Sequence, residues 1–287
     1  MNTRHFSQLP KPYLAYSKVI QGLVFKKPKL EKVLPQVEYV VDALKIDEKH
    51  LKAYNNVCGF KNNGQVPAIY LAVLSQSLQM SMMTQEAFPF ALLGLVHIRN
   101  VITQNRPIWQ NETITLSCAF GELKPHDKGL QFDFITTAKI ADEVVMQGVT
   151  TYLSRQKVTT PVEKKAENAS ATHAPDLQVQ EVWDVSENTG RRYAAVSGDF
   201  NLIHIHAFTA KAFGFKQAIA HGMWSKARAL ASLELPEAYE ADVQFKLPMY
   251  LPSKVEFLTA NESSQTDFLI RNQKSQKPHV AGIVKSL

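Results

Sequence analysis

Cysteine is nearly absent: Cys58 and Cys118 are the only two in 287 residues. They form no C-x-x-C pair, which excludes a cysteine metal cage and a dithiol redox motif. Both sit among apolar neighbours, as expected of a chain from a reducing compartment. Glycine (12) and proline (14) are too sparse for a fibrous or low-complexity chain. Long apolar runs are missing too. The greasiest stretches, 66–74 and 88–98, fall short of the ~20 residues that a membrane-spanning helix needs. The opening MNTRHFSQLPKPYLAYSK has no continuous apolar stretch and no small-residue cleavage site, so no secretory signal is expected. The expected location is the cytoplasm.

A surplus of charge is also missing from most of the chain. The net charge is +6. Residues 1–32 carry Arg4, Lys11, Lys18, Lys26, Lys27, Lys29 and Lys32 against Glu31 alone, which accounts for the whole excess. A neutral body with a basic leader is not the pattern of a nucleic-acid-binding domain. The leader is either solvated or a patch for an anionic partner, such as a phosphate-bearing arm, an acidic carrier protein or a lipid surface.

What is present is ordinary for a folded protein: 45% hydrophobic and 20% charged residues. The length allows one large domain or two of roughly 130–150 residues. The clearest change of composition is VTTPVEKKAENASATHAP at 158–175, which reads as a linker or exposed loop. It divides the chain into 1–157 and 176–287. The two parts look like distant copies. Each has a helix-like run (67–83; 218–233), then an extended stretch with a central proline (Pro107; Pro248), then alternating strand-like segments (130–153; 266–273 and 279–287). Strands that follow the helix, instead of alternating with further helices, indicate an α+β fold.

The chemistry concentrates in YAAVSGDFNLIHIHAFTAKAFGFKQAIAHGM, Tyr193 to Met223. A helix is expected over 187–197, capped by Ser186 and ended by Gly198. Asp199 and His204 follow. On a straight strand they would stand ~16–17 Å apart, so they meet only if the loop curls, which Gly198, Asp199 and Asn201 favour. A carboxylate beside an imidazole can hold a water, take its proton and return one. The residues alone also allow a plainer reading, with Asp199 and Asn201 turning the chain and His204 structural. His204 and His206 form an H-x-H with Asp199 and His221 nearby, but a metal site needs three or four placed ligands. His206 is better read as the cap of a following helix. His221-Gly222 opens the main helix, whose unpaired N–H groups can hold a carbonyl oxygen.

These residues resemble the signature of the MaoC-like dehydratases, or (R)-specific enoyl-CoA hydratases. That signature is a Tyr, then Ser-Gly-Asp-x-Asn-Pro-(Ile/Leu)-His, then a His-Gly at the start of the central helix. Here it stands as Tyr193, Ser197, Gly198, Asp199, Asn201, Leu202, Ile203, His204 and His221-Gly222. The resemblance implies a double hot dog: two units, each a central helix wrapped by a curved antiparallel sheet. It implies that Asp199 and His204 are catalytic, Gly222 N–H is the oxyanion donor, and Asn201, Ser197 and Tyr193 give support. The implied substrates are enoyl and (R)-3-hydroxyacyl thioesters of coenzyme A or acyl carrier protein. No metal and no cofactor beyond the arm on the substrate is implied. Leu202 stands where the family has Pro, and His206 where it has Asp or Asn. The first half lacks the motif and is expected to shape an acyl tunnel. A thioester-binding protein without turnover and a thioesterase are the alternatives. Both monomer and homodimer fit a fold that already contains an internal pseudo-dimer.

Overall fold

The computed structural model describes residues 2–11, 32–92, 94–156 and 176–287. The linker stretch 158–175 and the leader residues 12–31 lie outside them. The first half contains β1 (Asn2–Phe6), β2 (Val37–Lys45), α1 (Glu48–Cys58), α2 (Ala68–Met83), β3 (Leu95–Gln104), β4 (Thr113–His126), β5 (Gly129–Ile140) and β6 (Glu143–Arg155). The second contains β7 (Gln178–Val185), α3 (Thr189–Ser197), α4 (Leu202–Ile205), α5 (Ala207–Ala212), α6 (Gly222–Ala231), β8 (Tyr239–Phe245), β9 (Ser253–Glu262), β10 (Gln265–Asn272) and β11 (Pro278–Ser286).

Local patterning accounts for these elements. In β5, Phe132, Phe134, Thr136 and Ala138 alternate inward and are all buried, the period of a strand with one covered face. The apolar run of α2 is buried almost all round, so it is a core helix rather than a surface one. Asp47 caps α1, its carboxylate accepting from the Lys49 and His50 N–H groups.

Among the described residues the strands form one sheet in the order β1-β2-β4-β5-β6-β3-β8-β11-β10-β9-β7. Outward from the β3–β8 seam, both halves run through their strands in the same order. The duplication read from the sequence is thus present in the topology, and the fold is the double hot dog. At the seam β3 and β8 pair antiparallel from Arg99↔Gln244 to Gln104↔Tyr239. One continuous apolar core holds Ile69 and Tyr70 of α2 together with Ala227 and Leu230 of α6.

At the start of the leader, β1 pairs parallel with β2 at the sheet edge, mostly exposed, and the Arg4 guanidinium lies 4.9 Å from the Phe6 ring centroid. One expectation needs correction. The helix expected over 187–197 begins at Thr189, with Asn188 at its N-cap. Ser186 does not cap it; its Oγ donates to Asn188 Oδ1 at 2.7 Å.

One side chain ties the helix of the second half to the seam. Lys226 of α6 is fully buried. Its ammonium donates to Asn100 O at 2.9 Å, Asn100 Oδ1 at 2.7 Å and Ala241 O at 3.0 Å. Asn100 lies on β3 and Ala241 on β8, so the contact straddles the two halves. Burial pulls the Lys226 pKa well down, and Asp242 pulls it back. Lys226→Met keeps the stem but strands three acceptors. Unsatisfied buried acceptors each cost about 1–3 kcal/mol, and the change also relieves the cost of burying the ammonium, so urea unfolding should show a net loss of about 2–4 kcal/mol. An unchanged midpoint would show that the three bonds contribute nothing net.

Candidate active site

The loop after α3 is built by backbone devices. Gly198 closes the helix in the left-handed region at φ 75°, its N–H bonded to Ala194 O, a conformation that L side chains resist. Asp199 N–H donates to Ser197 Oγ at 3.2 Å, and Asn201 N–H donates to Asp199 Oδ1 at 3.1 Å. Asn201 then caps the single turn α4, its Oδ1 accepting from Ile203 N–H. That turn is the curl that brings His204 back to Asp199. Leu202 occupies the first position of α4, where Pro is favoured because no N–H bond is needed, so Leu forms the same turn. Gly190 lets the loop pack on α3. A Cβ there would lie 2.0 Å from His204 O.

The loop, α6 and the first half meet around a cavity of about 480 Å³. Asp199, His204 and His221 face one another across it, with nitrogen and carboxylate atoms within 4.8 Å. The His204 and His221 rings stack at 3.7 Å between centroids. His204 Nδ1 lies 2.8 Å from Ile219 O, and His221 Nε2 lies 3.0 Å from Asp199 O. A carbonyl only accepts, so both of these nitrogens carry hydrogen. His204 Nε2 is therefore the bare, basic nitrogen. The same three side chains offer donors of the type a divalent cation takes, but each imidazole spends one nitrogen on a backbone carbonyl. His206 is not with them. It caps α5, its Nδ1 accepting from Phe208 N–H, so the H-x-H does not act as a pair.

Electrostatics separates the two groups. Burial lowers the His204 pKa, outweighing the upward pull of Asp199 and Ile219 O. Burial also lowers His221, with His204 adding to the effect. Burial alone would raise the Asp199 carboxyl; His221, His204, the Asn201 N–H and the Gln76 side chain together bring it below its ordinary value. The pair at neutral pH is thus a carboxylate beside a neutral imidazole.

Gly222 lines the same cavity as the first residue of α6. Its N–H has no acceptor within its own helix, and the dipole adds positive potential there. Tyr193 sits in α3, fully buried, its ring 4.9 Å from that of His221. Of the residues singled out from the sequence, Tyr193, Asp199, Asn201, His204, His221 and Gly222 line the cavity and Ser197 bonds to its loop, whereas His206 does neither.

The sequence led to the expectation that the first half shapes an acyl tunnel, but it did not single out the residues that line the cavity. Ala72, Val73 and Gln76 of α2, His97 of β3 and Tyr152 of β6 line the cavity. His97 stacks on Tyr152 at 5.0 Å and meets the edge of Phe245 at 4.7 Å. Burial brings its pKa down to about 3. The available signal was the pair of amides, Gln76 and Gln79, inside the largely apolar AIYLAVLSQSLQMSMM.

Comparison with known proteins points to one family. The model of the MaoC like domain matches residues 156–280, which include the whole loop and α6. The 3-hydroxyacyl-thioester dehydratase X of Mycobacterium tuberculosis is 34% identical over 256 residues, covering 88% of this chain and 91% of that protein. A crystal structure of HtdX from that organism has a TM-score of 0.75 at 33% identity, covering 87% of this chain and 100% of that one. A MaoC-like dehydratase of Phytophthora capsici has a TM-score of 0.71 at 18% identity over 90% of this chain and 98% of its own, a likeness of fold. With a relative matched across both halves and the family's domain matched over the loop and α6, this chain belongs to the MaoC-like dehydratases.

Proposed function

We propose that the protein interconverts a trans-2-enoyl thioester and its (R)-3-hydroxyacyl thioester, a hydration–dehydration step of fatty-acid metabolism. The observation that carries this reading is the pairing of the Asp199 carboxylate with the bare Nε2 of His204 in a cavity that also contains the start of α6. The (R) configuration rests on family membership.

In the hydration direction, Asp199 and His204 hold one water between them. His204 Nε2 takes a proton as the water oxygen bonds to C3. Electrons move through the conjugated system to the thioester oxygen, which becomes an enolate. The Gly222 N–H supports that developing charge, a contribution worth ~10²–10³ in rate at comparable sites. The proton then passes from His204 to C2, and the enolate returns to a thioester. Asp199 accepts a hydrogen bond from the second water hydrogen, which stays on the new 3-hydroxyl, and stabilises the transient imidazolium. C3 is electrophilic through conjugation, so no hydride or electron transfer is required. The coenzyme A or phosphopantetheine arm comes with the substrate.

The walls fit such a substrate. Phe213, Phe215, Met223, Phe245 and Met249 give an apolar lining for the acyl part, and Arg155 and Lys246 give cations for a phosphate-bearing arm. No helix among the described residues is long and apolar enough to cross a membrane. The cytoplasm is the location we propose.

Loss of enoyl-thioester absorbance on adding the protein to trans-2-enoyl-CoAs of increasing length tests the reading. Asp199→Asn should lower the rate by about 10²–10⁴-fold, the usual range for a positioned acid–base group, without loss of fold. Wild-type turnover by that variant would overturn the assignment.

The pH profile is a second test. Activity needs Asp199 ionised and His204 neutral. Both pKa values are lowered, so the active form persists through neutral pH and is lost as acid protonates either group. The acid limb of kcat/KM should lie below 6.5, the ordinary histidine value. A limb at or above that value would contradict the electrostatics described above.

A further inference from the structure

We infer that Gln76, on the central helix of the first half, is a positioning residue that donates to the Asp199 carboxylate and aims it at the substrate. The inference rests on the dehydratase reading for its role in turnover, but the contact itself is independent of that reading.

Comparison of the two halves within this chain supports it. α1 and α3 end alike, at Gly59 and Gly198, both left-handed. Phe60 therefore occupies in the first half the place that Asp199 occupies in the second. α2 and α6 begin at the N-caps Pro67 and His221. Counted from those caps, Gln76 corresponds to Leu230. Leu230 is buried in the apolar core, and Phe60 packs against that core. The place related to the live site by the duplication thus pairs two apolar residues, Phe60 after the helix-ending glycine of the first half and Leu230 on the central helix of the second. In the live site both are polar, and they come from different halves: Asp199 from the second and Gln76 from the first. Both line the same cavity, and the Gln76 side chain is among the groups that lower the Asp199 pKa.

The donor inventory explains why this contact is needed. His204 and His221 are held neutral by burial. Neutral imidazoles put no positive charge beside the carboxylate at working pH. The Asn201 N–H and the Gln76 amide then add to what the two rings contribute to stabilising it. A carboxylate stripped of such a donor in a buried site protonates more readily. A primary amide in the middle of a buried apolar helix would otherwise be costly.

The test uses the full chain with Gln76→Met, which keeps the volume and removes the donor, and Gln76→Ala should the first fail to fold. Two readouts are taken. The Asp199 carboxyl is titrated by NMR of ¹³C-aspartate-labelled protein, with Asp199→Asn giving the assignment. Its midpoint should rise by about one pH unit, equivalent to the lower range for a hydrogen bond to a charged group. Enoyl-thioester kinetics across pH should show kcat lower by about tenfold to a hundredfold, KM little changed, and the acid limb shifted upward with the titration. An unmoved midpoint overturns the inference, even if kcat falls. A raised midpoint with wild-type kinetics overturns the role in turnover. A raised midpoint in a protein that hydrates no enoyl thioester sustains the contact and refutes the dehydratase reading instead.

Discussion

The antiparallel pairing of β3 with β8 is the constraint on which the remaining architecture depends. Each half of the chain has a central helix and a sheet too small to enclose a ligand alone. Joining the two sheets edge to edge removes two exposed strand edges and lets one apolar core run under both helices. Lys226, with Asn100 and Ala241, fastens the second helix to that seam from within. The cavity lies where the halves meet, so its walls are drawn from both. A site of this kind cannot be assigned to one unit, although only one carries the recognisable loop.

The duplication also shows how little separates an active copy from a silent one. Both halves keep the helix-ending glycine, the buried tyrosine one turn earlier (Tyr54 and Tyr193, 6.3 Å between ring centroids) and the packing of the two short helices on each other. They differ in the residues that handle protons. Where the second half has Asp199, the curl α4 and His204, the first has Phe60 and a direct run to its helix. Family membership brings the reaction class. The geometry of this chain adds the tautomer of His204, fixed by Ile219 O, and the neutral state of its stacked partner His221.

Much of this was legible in the amino acids. The spacing from Ser197 to His204 and the His-Gly start of α6 are local features, readable because turn and cap chemistry is local. The same is true of Gly198 as a helix stop and of His206 as a cap. The strand alternation of β5 and the two central helices followed from periodicity. What escaped was long-range. α1, β2 and β7 are short or weakly patterned, and only pairing and packing define them. β1 is an edge strand far from its partner in sequence. Ser186 looked like a cap because its type is right, yet Asn188 lies nearer the turn that forms. Gln76, His97 and Tyr152 carry no motif. They enter the site because the seam brings the first half against the second, which no spacing along the chain encodes.

In the proposed reaction one thioester is held between the start of α6 and the Asp199–His204 pair. The most direct measurement is a crystal structure with an unreactive 2-enoyl thioether or ketone analogue of the CoA substrate. The account predicts, for the ketone, an oxygen within hydrogen-bonding distance of the Gly222 N–H. For either analogue it places C3 beside the Asp199 carboxylate and His204 Nε2, with the chain along the apolar wall. An analogue bound elsewhere, or bound with its reactive carbons turned away from that pair, would contradict it.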